Sequence, residues 1–129
     1  MLADTGPLYA ARDPDDHHHD RSQAELRRLR SLHLKVIVPY PILLEAYSLI
    51  VRKLGSREAH RFLAQVVHTS ILTNATEEDY QEASVAILPY RDQDISLFDA
   101  VLAEMSHRLE APLWTFDHHF DVMGAAVWR

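Results

Sequence analysis

Short apolar runs alternate along this chain with longer stretches whose apolar residues recur at helical intervals. That alternation predicts an α/β fold built on a parallel sheet. Leu2-Ala3-Asp4 reads as the end of a first strand, and Thr5-Gly6-Pro7 opens a short helix through Ala11. Pro7 suits a first helical turn, where its missing N–H leaves nothing unpaired. Asp13 to Asp20, with Pro14 and the run His17-His18-His19, reads as a solvated polar loop. Ser22 and Glu25 have capping-box spacing, and Leu26, Leu29 and Leu32 follow on one helical face.

Lys35-Val36-Ile37-Val38 predicts a buried strand ended by Pro39 and Pro41. Ile42 to Leu54 is apolar almost all round, as a central helix would be, and Gly55 supplies its stop. Ser56 is placed to cap a further helix to about His68, and Ile71-Leu72 is a short strand candidate. Thr76 with Asp79 begins a helix that Pro89 terminates, and Arg91 to Asp94 is a loop. Ser96 and Asp99 repeat the capping-box spacing and open a helix to about Leu109. Leu113 to Phe116 and Ala125 to Trp128 complete the strands, with Asp117 to Met123 between them. No repeat or linker divides the chain, so residues 1–129 are expected to form one domain.

Composition narrows the function. With no cysteine, disulfides and thiolate metal sites are excluded. The first twenty residues hold no apolar run long enough for a signal peptide, and the apolar stretch Val36 to Leu44 contains two prolines before Glu45 stops it. A membrane span needs about 20 apolar residues, so a soluble, cytoplasmic protein is expected. A formal net charge of −6 at first argues against wrapping nucleic acid by bulk electrostatics. Three glycines form neither a Walker A nor a G-x-G-x-x-G pattern.

Most acids need no special role: Glu58, Glu77, Glu78, Asp79 and Glu82 fall in first turns or on solvated helix faces. Asp4, Glu45, Asp99 and Asp117 are different. Asp4 and Asp117 each follow a short apolar strand, and the carboxyl ends of parallel strands line the crevice where ligands bind. Glu45 interrupts an apolar helix, where an unpaired charge is costly. Asp99 sits in a capping box, and each of the four also has a local explanation as a cap or a solvated residue. Jointly they can converge on one crevice, and clustered carboxylates stay ionised only with cations between them. Hard divalent ions, Mg²⁺ or Mn²⁺, suit such oxygen donors, and hydrolysis of a phosphodiester by metal-activated water needs no histidine base or cysteine nucleophile. A phosphotransferase using Asp4 as nucleophile would want a second acid two residues on, where Gly6 stands.

At these residues the chain resembles the PIN-domain family, and within it the VapC-type toxin ribonucleases. The matching pieces are Asp4-Thr5-Gly6-Pro7-Leu8, Glu45 within Pro41-Ile42-Leu43-Leu44-Glu45, Ser96-Leu97-Phe98-Asp99-Ala100, and Thr115-Phe116-Asp117-His118-His119-Phe120. The resemblance implies a three-layer fold with a parallel sheet of about five strands flanked by helices, and Mg²⁺ or Mn²⁺ held by Asp4, Glu45, Asp99 and Asp117. It implies endonucleolytic cleavage of RNA leaving a 5′-phosphate and a 3′-hydroxyl, with Thr5 and Thr115 orienting carboxylates or water. It also implies a homodimer neutralised by a cognate antitoxin protein. The alternative is a non-catalytic PIN-fold binding module whose acids hold a structural ion or a partner's basic residues. Only Met1-Leu2-Ala3 precede Asp4, so either the native start lies upstream or the first strand is short, about 10 Å.

Further candidates stand outside this set. Asp121, one helical turn after Asp117, is a candidate fifth acid; Arg52, Arg91 and the Arg27-Arg28-Arg30 cluster are candidates for RNA backbone contacts. The arginine cluster is also explained as a solvated face pairing with Glu25, and His118 and His119 as exposed turn residues. Assigning four acids to a metal site leaves −2 for the remaining residues. Bound divalent cations would then turn that pocket from repelling phosphate to accepting it.

Overall fold

The computed structural model describes residues 1–129. Its elements are β1 (Leu2–Ala3), α1 (Thr5–Ala10), α2 (His19–Ser31), β2 (Ile37–Pro39), α3 (Tyr40–Leu54), α4 (Ser56–Thr69), β3 (Ile71–Thr73), α5 (Glu77–Ala86), α6 (Leu97–Leu109), β4 (Leu113–Trp114) and α7 (His119–Val122). The strands form one parallel sheet in the order β3-β2-β1-β4, flanked by the helices. Leu2 pairs with Ile37 on one side and Leu113 on the other, so the two-residue β1 is central and completely buried. Successive strands step outward from β1 through β2 to β3, and β4 returns to the opposite side. The change of direction lies between β1 and β4, and that is where an open parallel sheet forms its ligand crevice.

The sheet has four strands rather than five. Ala125 to Trp128 contributes only a parallel bridge of Val127 to Leu113, in which the Leu113 N–H donates to the Ala126 carbonyl and the Trp128 N–H to the Leu113 carbonyl, both at 2.8 Å. The intervening α7 and the left-handed turn at Gly124 (φ 72°) bring the chain back for a single residue of pairing. Phe116 likewise leaves the sheet, because the Thr115 hydroxyl takes the Asp117 N–H at 3.0 Å and bends the chain after β4.

The core is built from Leu2, Val38, Ile42, Ile50, Phe62, Leu102, Met105, Leu113, Trp114 and Phe120, all nearly inaccessible. α3 packs on α4 and α1, and α5 packs on α6. Gly55, at φ 91°, closes α3 and starts α4, so Ser56 is the first residue of α4 rather than its cap. α5 ends at Ala86, ahead of the Pro89 stop.

One helix start and one acid differ from expectation for tertiary reasons. α2 begins at His19, not Ser22; Ser22 is fully buried and its hydroxyl donates to the Pro7 carbonyl at 2.7 Å, tying α2 to α1. Glu25 caps nothing: it accepts from Arg21 at 2.9 Å and from the Trp114 indole at 2.7 Å, which leaves Arg28 to lie over the Trp128 ring. Asp79 is not a solvated first-turn acid. It is 2 % exposed, completes the capping box of α5, and takes a bidentate Arg108 from α6 at 2.7 to 3.1 Å. That guanidinium holds the Asp79 carboxyl below its ordinary range. No helix is long and apolar enough to cross a membrane.

Candidate active site

At the carboxyl ends of β1 and β4 an open cleft of about 450 Å³ gathers Asp4, Glu45, Asp99 and Asp117, together with Thr5. Each acid arrives on a different element. Asp4 follows β1 as the cap of α1, Glu45 projects from α3, Asp99 sits in the first turn of α6, and Asp117 follows β4. A slightly larger cleft, about 460 Å³, is lined mainly by apolar side chains such as Leu26, Phe62 and Trp114, and carries no acid.

Two threonines link the acids. The Thr5 N–H donates to Asp4 Oδ1 at 2.6 Å, and the Thr5 hydroxyl donates to Glu45 Oε2 at 2.6 Å. The Thr115 hydroxyl donates to Asp4 Oδ2 at 2.7 Å while accepting the Asp117 N–H at 3.0 Å. Thr115 is 3 % exposed, so this bridge lies beneath the cleft floor.

Capping and a ligand role are compatible here, because each cap uses only part of a carboxylate. Asp99 Oδ2 takes the Ser96 N–H at 2.7 Å and its hydroxyl at 2.8 Å. Asp117 Oδ1 takes the His119 N–H at 2.9 Å and has the His119 Nδ1 at the same distance. No protein donor reaches Asp99 Oδ1, Asp117 Oδ2 or Glu45 Oε1. The cleft therefore presents hard oxygen atoms held by local caps and, for Glu45, by the Thr5 hydroxyl, the donor chemistry that Mg²⁺ and Mn²⁺ prefer.

The electrostatics agree. Burial pushes the Asp4 carboxyl up to about 6, against the bonds from Thr115 and Thr5, which pull it down. The negative charges of Asp99 and Glu45 add to the rise. A cation among these carboxylates would reverse the penalty on ionising Asp4.

Two candidates lie elsewhere. Asp121 does not line the cleft: the chain turns into α7, and its exposed carboxylate pairs with Arg129 at 2.6 Å. Arg52, near the far end of α3, is exposed and also outside the cleft. His119 is not the exposed turn residue expected, since its side chain is 18 % exposed, whereas His118 is open to solvent. Asp16, His18 and Phe116 also line the cleft, a place the sequence did not assign to them. Asp16 Oδ1 takes the His18 N–H at 2.8 Å, and this local turn, ahead of a helix start, was the available signal.

The PIN domain model matches residues 1–126. The chain belongs to the PIN domain family. Among curated proteins, none matches the chain. Solved structures share this PIN fold at low identity. VapC20 of Mycobacterium tuberculosis, described as a Sarcin-Ricin loop cleaving toxin, superposes with a TM-score of 0.84 at 19 % identity, covering 99 % of this chain and 98 % of its own. VapBC2 of Rickettsia felis, bound to a DNA fragment from the promoter, gives 0.75 at 14 % identity, and FitAcB of Neisseria gonorrhoeae gives 0.68 at 14 %. Both cover 99 % of this chain and 96 % of their own.

Proposed function

We propose that this PIN-domain protein is an Mg²⁺- or Mn²⁺-dependent endoribonuclease, the toxin of a toxin–antitoxin pair. The observation that carries the reading is the convergence of Asp4, Glu45, Asp99 and Asp117 in one open cleft, with oxygen atoms on three of them free of protein donors. These four residues would hold the metal. A bound divalent cation supplies a water nucleophile of lowered pKa and offsets charge on the leaving oxygen.

The chain's own contribution is positioning. Thr115 fixes Asp4 and Asp117 relative to one another, and Thr5 fixes Glu45 relative to Asp4. The Ser96 cap fixes the rotamer of Asp99. Ligands locked by their own hydrogen bonds lose little freedom on binding a cation, which favours a defined geometry over a diffuse acidic patch. The fold shared with VapC20, itself named as a Sarcin-Ricin loop cleaving toxin, supports RNA as the substrate. The likeness to VapBC2 supports a cognate antitoxin as partner, and the family resemblance a homodimer.

Protein purified free of any antitoxin is expected to cut RNA with Mg²⁺ or Mn²⁺, to stop with EDTA, and to leave 5′-phosphate and 3′-hydroxyl ends. Cleavage at wild-type rate by both Asp4→Asn and Asp99→Asn preparations would show a contaminant and refute the site.

A further inference from the structure

One lip of the acid cleft is aromatic. His18 and Phe116 both line the cleft that holds the four carboxylates. Their rings lie 4.5 Å apart at 34°, and the His17 ring continues the series at 3.8 Å from His18, tilted by 41°. The Arg21 guanidinium lies 4.5 Å from the Phe116 ring centroid, within range of a cation–π contact. Arg21 is held there by Glu25, which the Trp114 indole fixes in turn.

The two imidazoles have no other evident task. Neither ring donates to or accepts from another group in a hydrogen bond; the nearest charged contact is His17 to Asp16 at 3.9 Å. His18 is the N-cap residue of α2 and makes no side-chain capping bond. The His17 side chain is 82 % exposed, an open π-face at the end of the series.

We propose that the exposed His17 ring, backed by His18 and Phe116, forms a stacking platform for an unpaired RNA base on the rim of the acid cleft. The proposal rests on the nuclease reading and assigns to these rings the holding of a base that is free to stack, since bases inside a duplex present no open face. A phosphate clamp fits the site less well. Asp13, Asp15, Asp16 and Asp20 surround the histidine run, so the lip repels a backbone while its ring faces attract bases. Base stacking contributes about 1–3 kcal/mol per base, or roughly 5- to 150-fold in affinity.

The test measures fluorescence anisotropy of a labelled single-stranded RNA 12-mer, alone and annealed to its complement, in Ca²⁺ without Mg²⁺ or Mn²⁺, so that the carboxylates are neutralised while the proposed catalytic ions are withheld. The H17A/H18A double variant is expected to bind the single strand at least about 5-fold more weakly, with weak duplex binding unchanged, and the ring-retaining H17Y/H18F variant to stay near wild type. With Mn²⁺ and a cleavable strand, the same loss should fall on KM and leave kcat little altered. Equal binding by H17A/H18A and wild type overturns the rim, as does failure of H17Y/H18F to restore binding, or a wild type that binds no single strand. Ring-dependent binding without any Mn²⁺-dependent cleavage would sustain the rim and refute the nuclease reading. Cleavage with an unaltered KM in H17A/H18A would do the reverse.

Discussion

Replacing Asp4 by asparagine keeps the side chain's shape and removes a charge that the fold accommodates poorly. Burial raises the Asp4 carboxyl from 3.8 to about 6, with Asp99 and Glu45 adding to the rise. A group whose folded value is raised takes up a proton more readily when folded. Its stabilising contribution is complete below about 3.8 and is lost as pH rises through about 6. Two units correspond to roughly 3 kcal/mol of ionisation penalty at neutral pH. Asparagine still accepts from the Thr5 N–H, but its Nδ2 faces the Thr115 hydroxyl, which now donates to Asp4 and must reorient. That mismatch returns about 1 kcal/mol, leaving a net gain of ~2 kcal/mol, or roughly 5–8 °C in Tm for a domain of this size. Thermal unfolding in EDTA at pH 7.5 is therefore expected to show Asp4→Asn as the more stable protein, with the gain shrinking toward pH 4. Adding Mn²⁺ should invert the order, because only wild type gains from binding, by about 2.7 kcal/mol at a hundredfold excess over Kd. The Mn²⁺ shift of wild type should itself weaken below pH 6, where the proton competes for Asp4. An Asp4→Asn protein less stable than wild type in EDTA at pH 7.5, or stabilised equally by Mn²⁺, would refute the crowding argument.

Thr115→Val removes the hydroxyl that bridges Asp4 and Asp117 and leaves the Asp117 N–H without a partner. We expect a loss of about 2–3 kcal/mol in denaturant unfolding and a fall of roughly 10- to 100-fold in kcat/KM, as for other supports of metal ligands. Asp79→Asn loosens the Arg108 pair that ties α5 to α6, well away from the cleft. It should cost about 1–3 kcal/mol at neutral pH with RNA cleavage unchanged, a figure reduced for the half-exposed guanidinium. Because Asp79 is held below its ordinary range, this cost should disappear in acid as the wild-type carboxyl takes up its proton.

What the chain shows openly is local. The boxes Thr76-x-x-Asp79 and Ser96-x-x-Asp99 form as read, because residues three apart at a helix start meet whatever surrounds them. Ser22-x-x-Glu25 has the same spacing and does not form, since Pro7 and Trp114 compete for those side chains from distant parts of the chain. Asp79 reads as solvated until Arg108 arrives from the next helix. The acid cleft was legible because three of its acids stand at strand ends or helix starts, positions that sequence marks well. The histidine loop was not: its place on the cleft depends on Phe116, a contact between the two ends of the chain. Nor was the weak fifth strand, whose apolar residues satisfy the pattern while its geometry allows one bridge.

The most direct test is anomalous diffraction from crystals of the protein soaked in Mn²⁺ at neutral pH. A peak is expected among Asp4, Glu45, Asp99 and Asp117, with oxygen atoms at Mn²⁺ bonding distance and the threonine links intact. Mn²⁺ only at the neighbouring Asp117-His118-His119 group, or no ordered Mn²⁺ in the cleft, would contradict a four-carboxylate metal site.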